Sequence, residues 1–143
     1  MIKLILSGSI KSKKNSKQII PIPASKSTNT MHYWPKRKWV FCFMQIHPSK
    51  AYKKWEKEAR MEALAQLPPG FKIMTGPIRV KALAYYKGNR PDLSGMMESV
   101  GDCLEGIVWE NDRQIESLDG SRLFHDLKNP RTEVFIEPYA EGS

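Results

Sequence analysis

The spacing of apolar and polar residues along the chain predicts an ordered series of strands. Residues 2–10 alternate moderately between the two classes and predict a first strand. Residues 39–46 are apolar on both faces, which is typical of a central strand, and residues 77–87 alternate in the manner of a half-buried one. Further strands are predicted at 71–74, at 113–119 and at 132–137, the last two around a turn at 126–131.

One helix is predicted over residues 50–67. Ser49 can cap its first turn, and the Pro68-Pro69-Gly70 sequence ends it because proline cannot continue a helix. Lysine and arginine residues cover most of this helix, which leaves one apolar stripe to face the core. The stripe consists of Tyr52, Trp55, Ala59, Ala63 and Leu67.

A second helix follows Arg90-Pro91, since the residue before a proline is pushed out of the helical region. Asp92 or Ser94 can cap it, and Gly106 ends it. The helix has two distinct faces: Ser94, Glu98 and Asp102 share one, and Met97, Val100 and Leu104 share another. Residues 107–109 (Ile-Val-Trp) then predict a short buried strand that ends at Glu110-Asn111-Asp112.

This order of elements predicts a single α/β (α+β) domain over residues 1–143, with a mixed β-sheet packed by two main helices. Residues 21–38 carry prolines and a cluster of Ser, Thr and Asn, so we expect a flexible excursion there. The chain contains no glycine-rich phosphate motif and no Gly-x-Ser-x-Gly turn, which argues against nucleotide-binding folds and serine hydrolases.

The net charge of +8 is divided unevenly along the chain. Residues 1–90 hold 19 Lys and Arg against three acidic residues, whereas residues 91–143 hold 4 against 12. A basic half beside an acidic half would suit a metal-dependent enzyme that acts on a polyanion, with lysines on phosphates and carboxylates on the metal. A merely solvated charged surface is the alternative, and the positions of the acids favour the enzyme.

Two cysteines, Cys42 and Cys103, lie far apart in apolar contexts, and we expect two buried thiols in a reducing compartment. Neither has a partner at zinc-ligand spacing, whereas grouped carboxylates suit a hard cation such as Mg²⁺. No apolar run approaches the ~18 residues that span a bilayer, so no membrane insertion is expected.

The residues around the second helix resemble those of the RusA-type Holliday junction resolvases. The similarity rests on Arg90-Pro91-Asp92-Leu93-Ser94, on a helix that contains Asp102, and on the run from Gly106 to Ile115. The resemblance implies a homodimeric endonuclease that depends on Mg²⁺, for which Mn²⁺ can substitute. Such an enzyme cuts four-way DNA junctions in recombination and repair, and it would work in the cytoplasm of a bacterium, encoded by the host, a phage or a prophage.

Carried over residue by residue, the resemblance implies a set of site residues. Asp92 and Asp112 match metal-binding aspartates, Asp102 matches the aspartate of the helix, and Gln114 matches the final glutamine. The chain departs from the family pattern at four positions: Ser94 replaces an aspartate, Gly95 an asparagine, Glu98 a lysine and Asn111 an aspartate.

Glu98 lies one helical turn from Ser94 on the same face, so its carboxylate could take the place of the missing aspartate. We therefore predict catalytic residues Asp92, Asp112, Glu98 and Asp102, of which the first three bind the metal. The expected DNA-binding residues are Lys13, Lys14, Asn15, Lys17, Lys50 and Arg113.

Two alternatives to a nuclease stay open. The first is a catalytically degenerate relative that binds branched DNA without cutting it, because the site has lost one aspartate and one lysine. The second is a protein-interaction subunit whose acidic face is merely solvated.

Overall fold

The computed structural model describes the backbone of residues 1–12, 17–23, 31–33 and 40–140, and the side chains of residues 1–12 and 49–140. Within these residues the chain forms eight strands, two α-helices and a short 3-10 turn. In chain order they are β1 (Ile2–Ser7), β2 (Lys17–Pro23), β3 (Met31–Tyr33), β4 (Val40–Pro48), α1 (Lys50–Gln66), β5 (Ile78–Tyr86), α2 (Leu93–Leu104), the 3-10 turn (Asp112–Gln114), β6 (Ile115–Ser117), β7 (Arg122–His125) and β8 (Arg131–Pro138).

Five of these strands form one mixed sheet, which confirms the predicted fold class. Strand β8 pairs antiparallel with β1 on one side and with β5 on the other. Two short strands share the remaining edge of β5 and run parallel to it, β6 beside Ile78 and β7 beside residues 83–86. This arrangement brings the segment that follows α2 back to the start of β5.

The core lies between this sheet and the two helices, where alternating strand residues meet the apolar faces of α1 and α2. Every second residue of β5 from Ile78 to Ala84 is buried, as its sequence pattern predicts. Helix α1 buries four of the five predicted stripe residues, including Trp55 at 6% exposure, so the expected phase of this helix is confirmed; the fifth, Leu67, is the C-cap residue and is half-buried. The full buried stripe of α1 is Tyr52, Trp55, Ala59 and Ala63.

Helix α1 begins and ends close to its predicted bounds, for local reasons. The Ser49 hydroxyl accepts a hydrogen bond from Tyr52 N at 3.1 Å and so caps the first turn. Near its last turn the helix protects strand β1, which lies at the edge of the sheet. The side chain of Gln66 accepts from Ile5 N (2.7 Å) and donates to Ile5 O (2.8 Å), so these backbone groups are satisfied without another strand.

A second, three-stranded sheet is built from β2, β4 and β3, in that order, with both neighbours of β4 antiparallel to it. The apolar segment predicted as a central strand is the middle strand β4. Parts of the expected flexible excursion at 21–38 are strands, namely residues 21–23 of β2 and all of β3. The other residues of that excursion, 24–30 and 34–38, lie outside the described residues.

Residues 107–109 do not form the predicted strand. Val108 N donates to Leu104 O at 2.9 Å and Gly106 N to Trp109 O at 2.7 Å, so the segment turns back over the end of α2. The apolar run is fully buried at Val108 and Trp109, but burial alone cannot distinguish a strand from a packed turn. Only single bridges at Met74 and Glu105 reach Trp109.

Three further short segments differ from the prediction. The expected strand at 113–119 is shortened to Ile115–Ser117, because residues 112–114 form the 3-10 turn. Strand β7 was not predicted at all, since it has only four residues and three of them are exposed. The extended piece expected at 71–74 is reduced to the single bridge at Met74.

The expectation of a buried thiol is confirmed for Cys103, which is free and fully buried. Burial raises the pKa of this thiol to about 12, so it stays protonated at neutral pH. The side chain of Cys42 lies outside the described residues. Among the described helices, none has the length and apolar character needed to cross a membrane.

Candidate metal and DNA site

Helix α2 presents one face to the core and another to a surface cavity. Asp92 is its N-cap residue in an extended conformation, but its side chain makes no capping hydrogen bond. The cavity face continues through Ser94 and Glu98 to Gly101, while Val100 and Leu104 are buried on the core side. The helical repeat of 3.6 residues separates the two faces, but two residues lie on other faces than the sequence predicts. Met97, expected beside Val100 and Leu104, lines the cavity, and Asp102, expected beside Ser94 and Glu98, does not, because seven residues complete nearly two turns and eight overshoot them.

The carboxylate of Asp112 is placed by contacts from three directions. The indole Nε1 of buried Trp109 donates to Asp112 Oδ1 at 2.8 Å, and the backbone N of Asp112 donates to Glu105 Oε2 at 2.8 Å. On the helix side the carboxylate lies against Gly101, where an added Cβ would be 3.0 Å from Oδ2. A larger residue at position 101 would therefore occupy space that the carboxylate uses.

The turn that carries Asp112 is held by Asn111 and Gln114. The Asn111 side chain accepts from Arg113 N at 2.9 Å, and the Gln114 side chain accepts from Asn111 N at 2.8 Å, which together form a capping box. The amide of Gln114 also donates to the carbonyls of Met74 (2.8 Å) and Gly76 (2.9 Å). Gln114 thus ties this turn to the segment before β5, which is a positioning role.

A cavity of about 620 Å³ lies between α2 and the segment from Asp112 to Ser121. It brings together two carboxylates and two hydroxyls, with apolar side chains around them. The lining residues are Leu93, Ser94, Met97, Glu98, Gly101, Asp112, Ile115, Leu118 and Ser121. Ser94 and Glu98 are one helical turn apart, whereas Asp112 lies far from both in sequence. All three line the same cavity.

The environment of Asp112 raises its pKa. Burial is the largest cause, the negative charge of Glu105 adds to it, and the hydrogen bond from Trp109 acts in the opposite direction. A half-buried carboxylate beside another acid is repelled when no cation is bound. This electrostatic setting would favour the binding of a positive ion.

The residues that line the cavity supply fewer ligands than a complete Mg²⁺ site needs, so they fit Mg²⁺ only if other groups complete its coordination. Within the described residues no group of three or more His, Cys, Asp and Glu side chains is arranged to hold a metal ion. Two carboxylates, Glu98 and Asp112, line the cavity, and Mg²⁺ is commonly bound through one or two carboxylates with the rest of its shell from water and phosphate. The residues present are therefore sufficient for a metal shared with a phosphate substrate.

The other predicted site residues lie elsewhere. Asp92 precedes the cavity at the start of α2 and is not among its lining residues. Asp102 lies on the side of α2 that faces α1, where Arg60 donates to its backbone carbonyl at 3.1 Å and its charge acts on Tyr52. The catalytic roles of both aspartates stay predictions.

Among the expected DNA-binding residues, Lys50 and Arg113 are exposed at the first residue of α1 and in the 3-10 turn. Lys17 begins β2, and its side chain is not described. Lys13, Lys14 and Asn15 lie outside the described residues. Their contacts with DNA stay predictions.

Sequence reasoning missed several residues that shape the site. The sequence pattern predicts a strand at Trp109 and does not reveal its hydrogen bond to the Asp112 carboxylate. It also indicates no role for Glu105 or Ser121. The sequence did hold one sign of this contact. Gly101 lies inside a helical pattern, and a glycine there often marks a place where another part of the protein packs close to the helix.

Comparison with known proteins places the chain in a family. A family model described as Endodeoxyribonuclease RusA matches residues 21–137, which is most of the chain. The matched region includes the cavity residues and all the predicted catalytic residues, whereas the lysine-rich residues 13–17 precede it. No curated protein matches the chain.

Proposed function

Because the chain belongs to the endodeoxyribonuclease RusA family, we propose that it cuts branched DNA, above all four-way junctions, by metal-dependent hydrolysis of phosphodiester bonds. The observation that carries this proposal is the cavity along α2 that Glu98 and Asp112 both line. A homodimer fits the two-fold symmetry of a four-way junction, in which two strands are cut. Recombination and repair of bacterial or phage DNA would be its setting.

Glu98 and Asp112 would hold Mg²⁺ (or Mn²⁺), and the resemblance adds Asp92, which lies at the N-cap outside the lining of the cavity. The bound metal would lower the pKa of an attacking water and stabilise the leaving oxygen. Trp109 and Gly101 set the position of the Asp112 carboxylate, and Gln114 holds the turn beneath it. Such fixed ligand positions are what a metal site needs, because loosely held ligands bind poorly.

The family's aspartate is missing at position 94. The position of Glu98, one helical turn later, supports the idea that its carboxylate takes the role of that aspartate. Ser94 and Glu98 both line the cavity that contains Asp112. A hydroxyl is a weak ligand for Mg²⁺ beside carboxylate oxygens, so Glu98 rather than Ser94 would supply the charge. The cation of the lost helix lysine is not replaced within this cavity.

The experiment is cleavage of a four-way junction with and without Mg²⁺, using Glu98→Gln beside the wild type. The variant keeps the size of the side chain and removes one charge. We expect Mg²⁺ affinity and cleavage to fall by at least about tenfold, the low end of what loss of an outer-shell metal partner causes. Binding of the junction in EDTA should be unchanged or slightly tighter.

The matched control is Glu116→Gln, which removes an exposed carboxylate on β6 outside the cavity. The double variant Ser94→Asp with Glu98→Lys restores the family residues at these two positions and should recover the cleavage that Glu98→Gln loses. If Glu98→Gln cuts at the normal rate with normal Mg²⁺ dependence, Glu98 is not a ligand. The site would then rest on Asp92 and Asp112.

A second candidate function is supported by the reduced ligand set. Within the described residues only Glu98 and Asp112 supply carboxylates to the cavity, and no third ligand group joins them. A protein of this kind would bind junctions without cutting them. Specific binding in EDTA together with no cleavage at any Mg²⁺ or Mn²⁺ concentration would favour this candidate.

A further inference from the structure

A second concave surface, of about 360 Å³, lies beside the start of α2, between the segment after β1 and the segment after β5. We call it the basic notch. It is formed by two short segments, each of which follows a strand of the main sheet. Its lining residues are Ser9, Ile10, Lys11, Ser12, Lys87, Gly88, Asn89, Arg90 and Pro91.

The charge of the notch is positive on all sides. Lys11, Lys87 and Arg90 contribute three cations, and its lining contains no acidic residue. None of the three forms an ion pair with an acid in the described part of the chain. Asn89 adds an amide that can donate hydrogen bonds. Concentrated positive charge with polar donors is the chemistry that binds a phosphate group.

The backbone of the notch is held in place by two serine side chains. The Ser9 hydroxyl accepts from Lys87 N at 3.1 Å and donates to Lys87 O at 3.3 Å, which joins the two segments. The Ser99 hydroxyl, on α2, donates to Lys11 O at 2.7 Å. Ile10 is buried in the core between these contacts. A site fixed in this way loses little conformational freedom when a ligand binds.

Ser12 gives an independent sign of a ligand. Its side chain is buried at 6% exposure, yet its hydroxyl has no hydrogen-bond partner among the described residues. Ser12 lines the notch, and its hydroxyl lies against α2, where a Cβ on Gly95 would be 2.5 Å from it. A buried hydroxyl without a partner is unfavourable unless a ligand or water satisfies it. A phosphate oxygen in the notch would accept this hydrogen bond.

We propose that the basic notch binds the backbone phosphate next to the one that is cut, a role that rests on the proposed nuclease function. Pro91 lines the notch and Leu93 lines the carboxylate cavity, so only Asp92 separates the two surfaces along the chain. Two residues span at most about 7 Å even when fully extended. A strand that places one phosphate in the notch can therefore place a neighbouring phosphate at the Leu93 edge of the cavity. Lys11, Lys87, Arg90 and Ser12 act as positioning residues for the cut strand.

The first test is the salt dependence of junction binding, measured in EDTA so that cleavage plays no part. We expect Lys87→Ala combined with Arg90→Ala to lower the slope of log K against log salt by about one unit, the loss of one phosphate contact. Lys128→Ala is the matched control, because this exposed lysine lines neither surface, and it should leave the slope unchanged. An unchanged slope in the double variant would overturn the proposal.

The second test identifies the phosphate. In a series of junctions, one charged phosphodiester of a strand is replaced by a neutral methylphosphonate, at a different position near the branch point in each. Binding of each junction is measured for the wild type and the double variant. One position should weaken wild-type binding but not that of the variant, and it should adjoin the linkage that the wild type cuts. A sensitive position remote from that linkage, or none at all, would refute the role of the notch. If that position is found but no Mg²⁺ concentration supports cutting, the nuclease function fails while the phosphate site stands.

Ser12→Ala separates a ligand contact from a structural role. The free energy of unfolding should not fall, because the variant removes a buried hydroxyl without a described partner. Junction affinity should fall two-fold or more, on the order of one neutral hydrogen bond. A loss of stability with unchanged affinity would show that the hydroxyl serves the fold and not the ligand.

Discussion

Gly101 is the residue whose substitution tests the position of Asp112 most directly. In Gly101→Ala the new Cβ would lie 3.0 Å from Asp112 Oδ2 and 3.3 Å from both Cγ and Oδ1. These contacts are too close by a few tenths of an ångström, so the carboxylate must move away from α2. It is held on its other side by the 2.8 Å hydrogen bond from Trp109. The substitution therefore acts on the candidate ligand without touching its charge.

The effect on stability is a balance of two opposing contributions. Alanine is favoured over glycine inside a helix by about 0.8–1.0 kcal/mol. Full loss of a hydrogen bond to a charged group costs about 1.5–3 kcal/mol. Full loss of the Trp109 bond should leave a net destabilisation of about 0.5–2 kcal/mol, and a bond that merely stretches should leave less. Urea unfolding of the metal-free protein measures it.

The effect on activity should be larger than the effect on stability. A misplacement of about 1 Å at a catalytic group costs on the order of a hundredfold, so a shift of a few tenths should slow junction cleavage about tenfold. Cleavage is measured under single-turnover conditions across Mg²⁺ concentrations. The expected result is a weaker apparent Mg²⁺ affinity as well as a lower rate.

Gly76→Ala is the matched control for this experiment. An added Cβ at Gly76 meets nothing within 4 Å, so this variant reports the effect of removing a glycine outside a helix, without the helix-propensity gain at position 101. If Gly101→Ala gains about 1 kcal/mol of stability and cuts junctions at the normal rate, the Asp112 carboxylate can shift without any loss of stability or activity. The inference that its carboxylate must stay in place would then be refuted.

Two further predictions concern the core and the titration of the site. Trp55→Ala should lower the free energy of unfolding by ~3–5 kcal/mol, because Trp55 is buried at 6% exposure on α1; a fully stable variant that fails to bind DNA would contradict this. The second concerns Asp112, whose pKa is raised by burial above 3.8, so the folded protein holds this proton more tightly than the unfolded chain. Its stabilising contribution is therefore present below pH 3.8 and lost as the pH rises through the raised pKa. In EDTA, Asp112→Asn should accordingly gain stability over the wild type across that interval, and a difference that does not change with pH would rule the titration out.

Local patterns along the chain were sufficient to predict most of the regular elements. Ser49 and the residues that follow it predict α1, because capping and an apolar stripe at helical spacing depend only on neighbours in sequence. The same holds for β5, whose alternation matches its buried face. Where a segment is short or exposed, as in β7, the local pattern is weak and the prediction failed.

The candidate site was predicted in part for the same reason. Ser94 and Glu98 are one helical turn apart, so their shared face follows from the helix alone, and both line the cavity. The resemblance to a family singled out Asp112 but could not say what orients it. It also selected Asp102, which the helix turns towards α1 and away from the cavity.

The sequence by itself determined both helices and the longer strands, the buried stripe of α1, the shared face of Ser94 and Glu98 on α2, and the separation of basic and acidic halves. Only the tertiary structure decided that Trp109 donates a hydrogen bond to Asp112 and that the Asp112 carboxylate lies against Gly101. It also decided that Lys11 and Arg90 line the same notch. The physical reason is the range of the interactions. Periodicity and capping arise from residues a few positions apart, whereas these contacts depend on how the turn after α2 and the segments after β1 and β5 pack together.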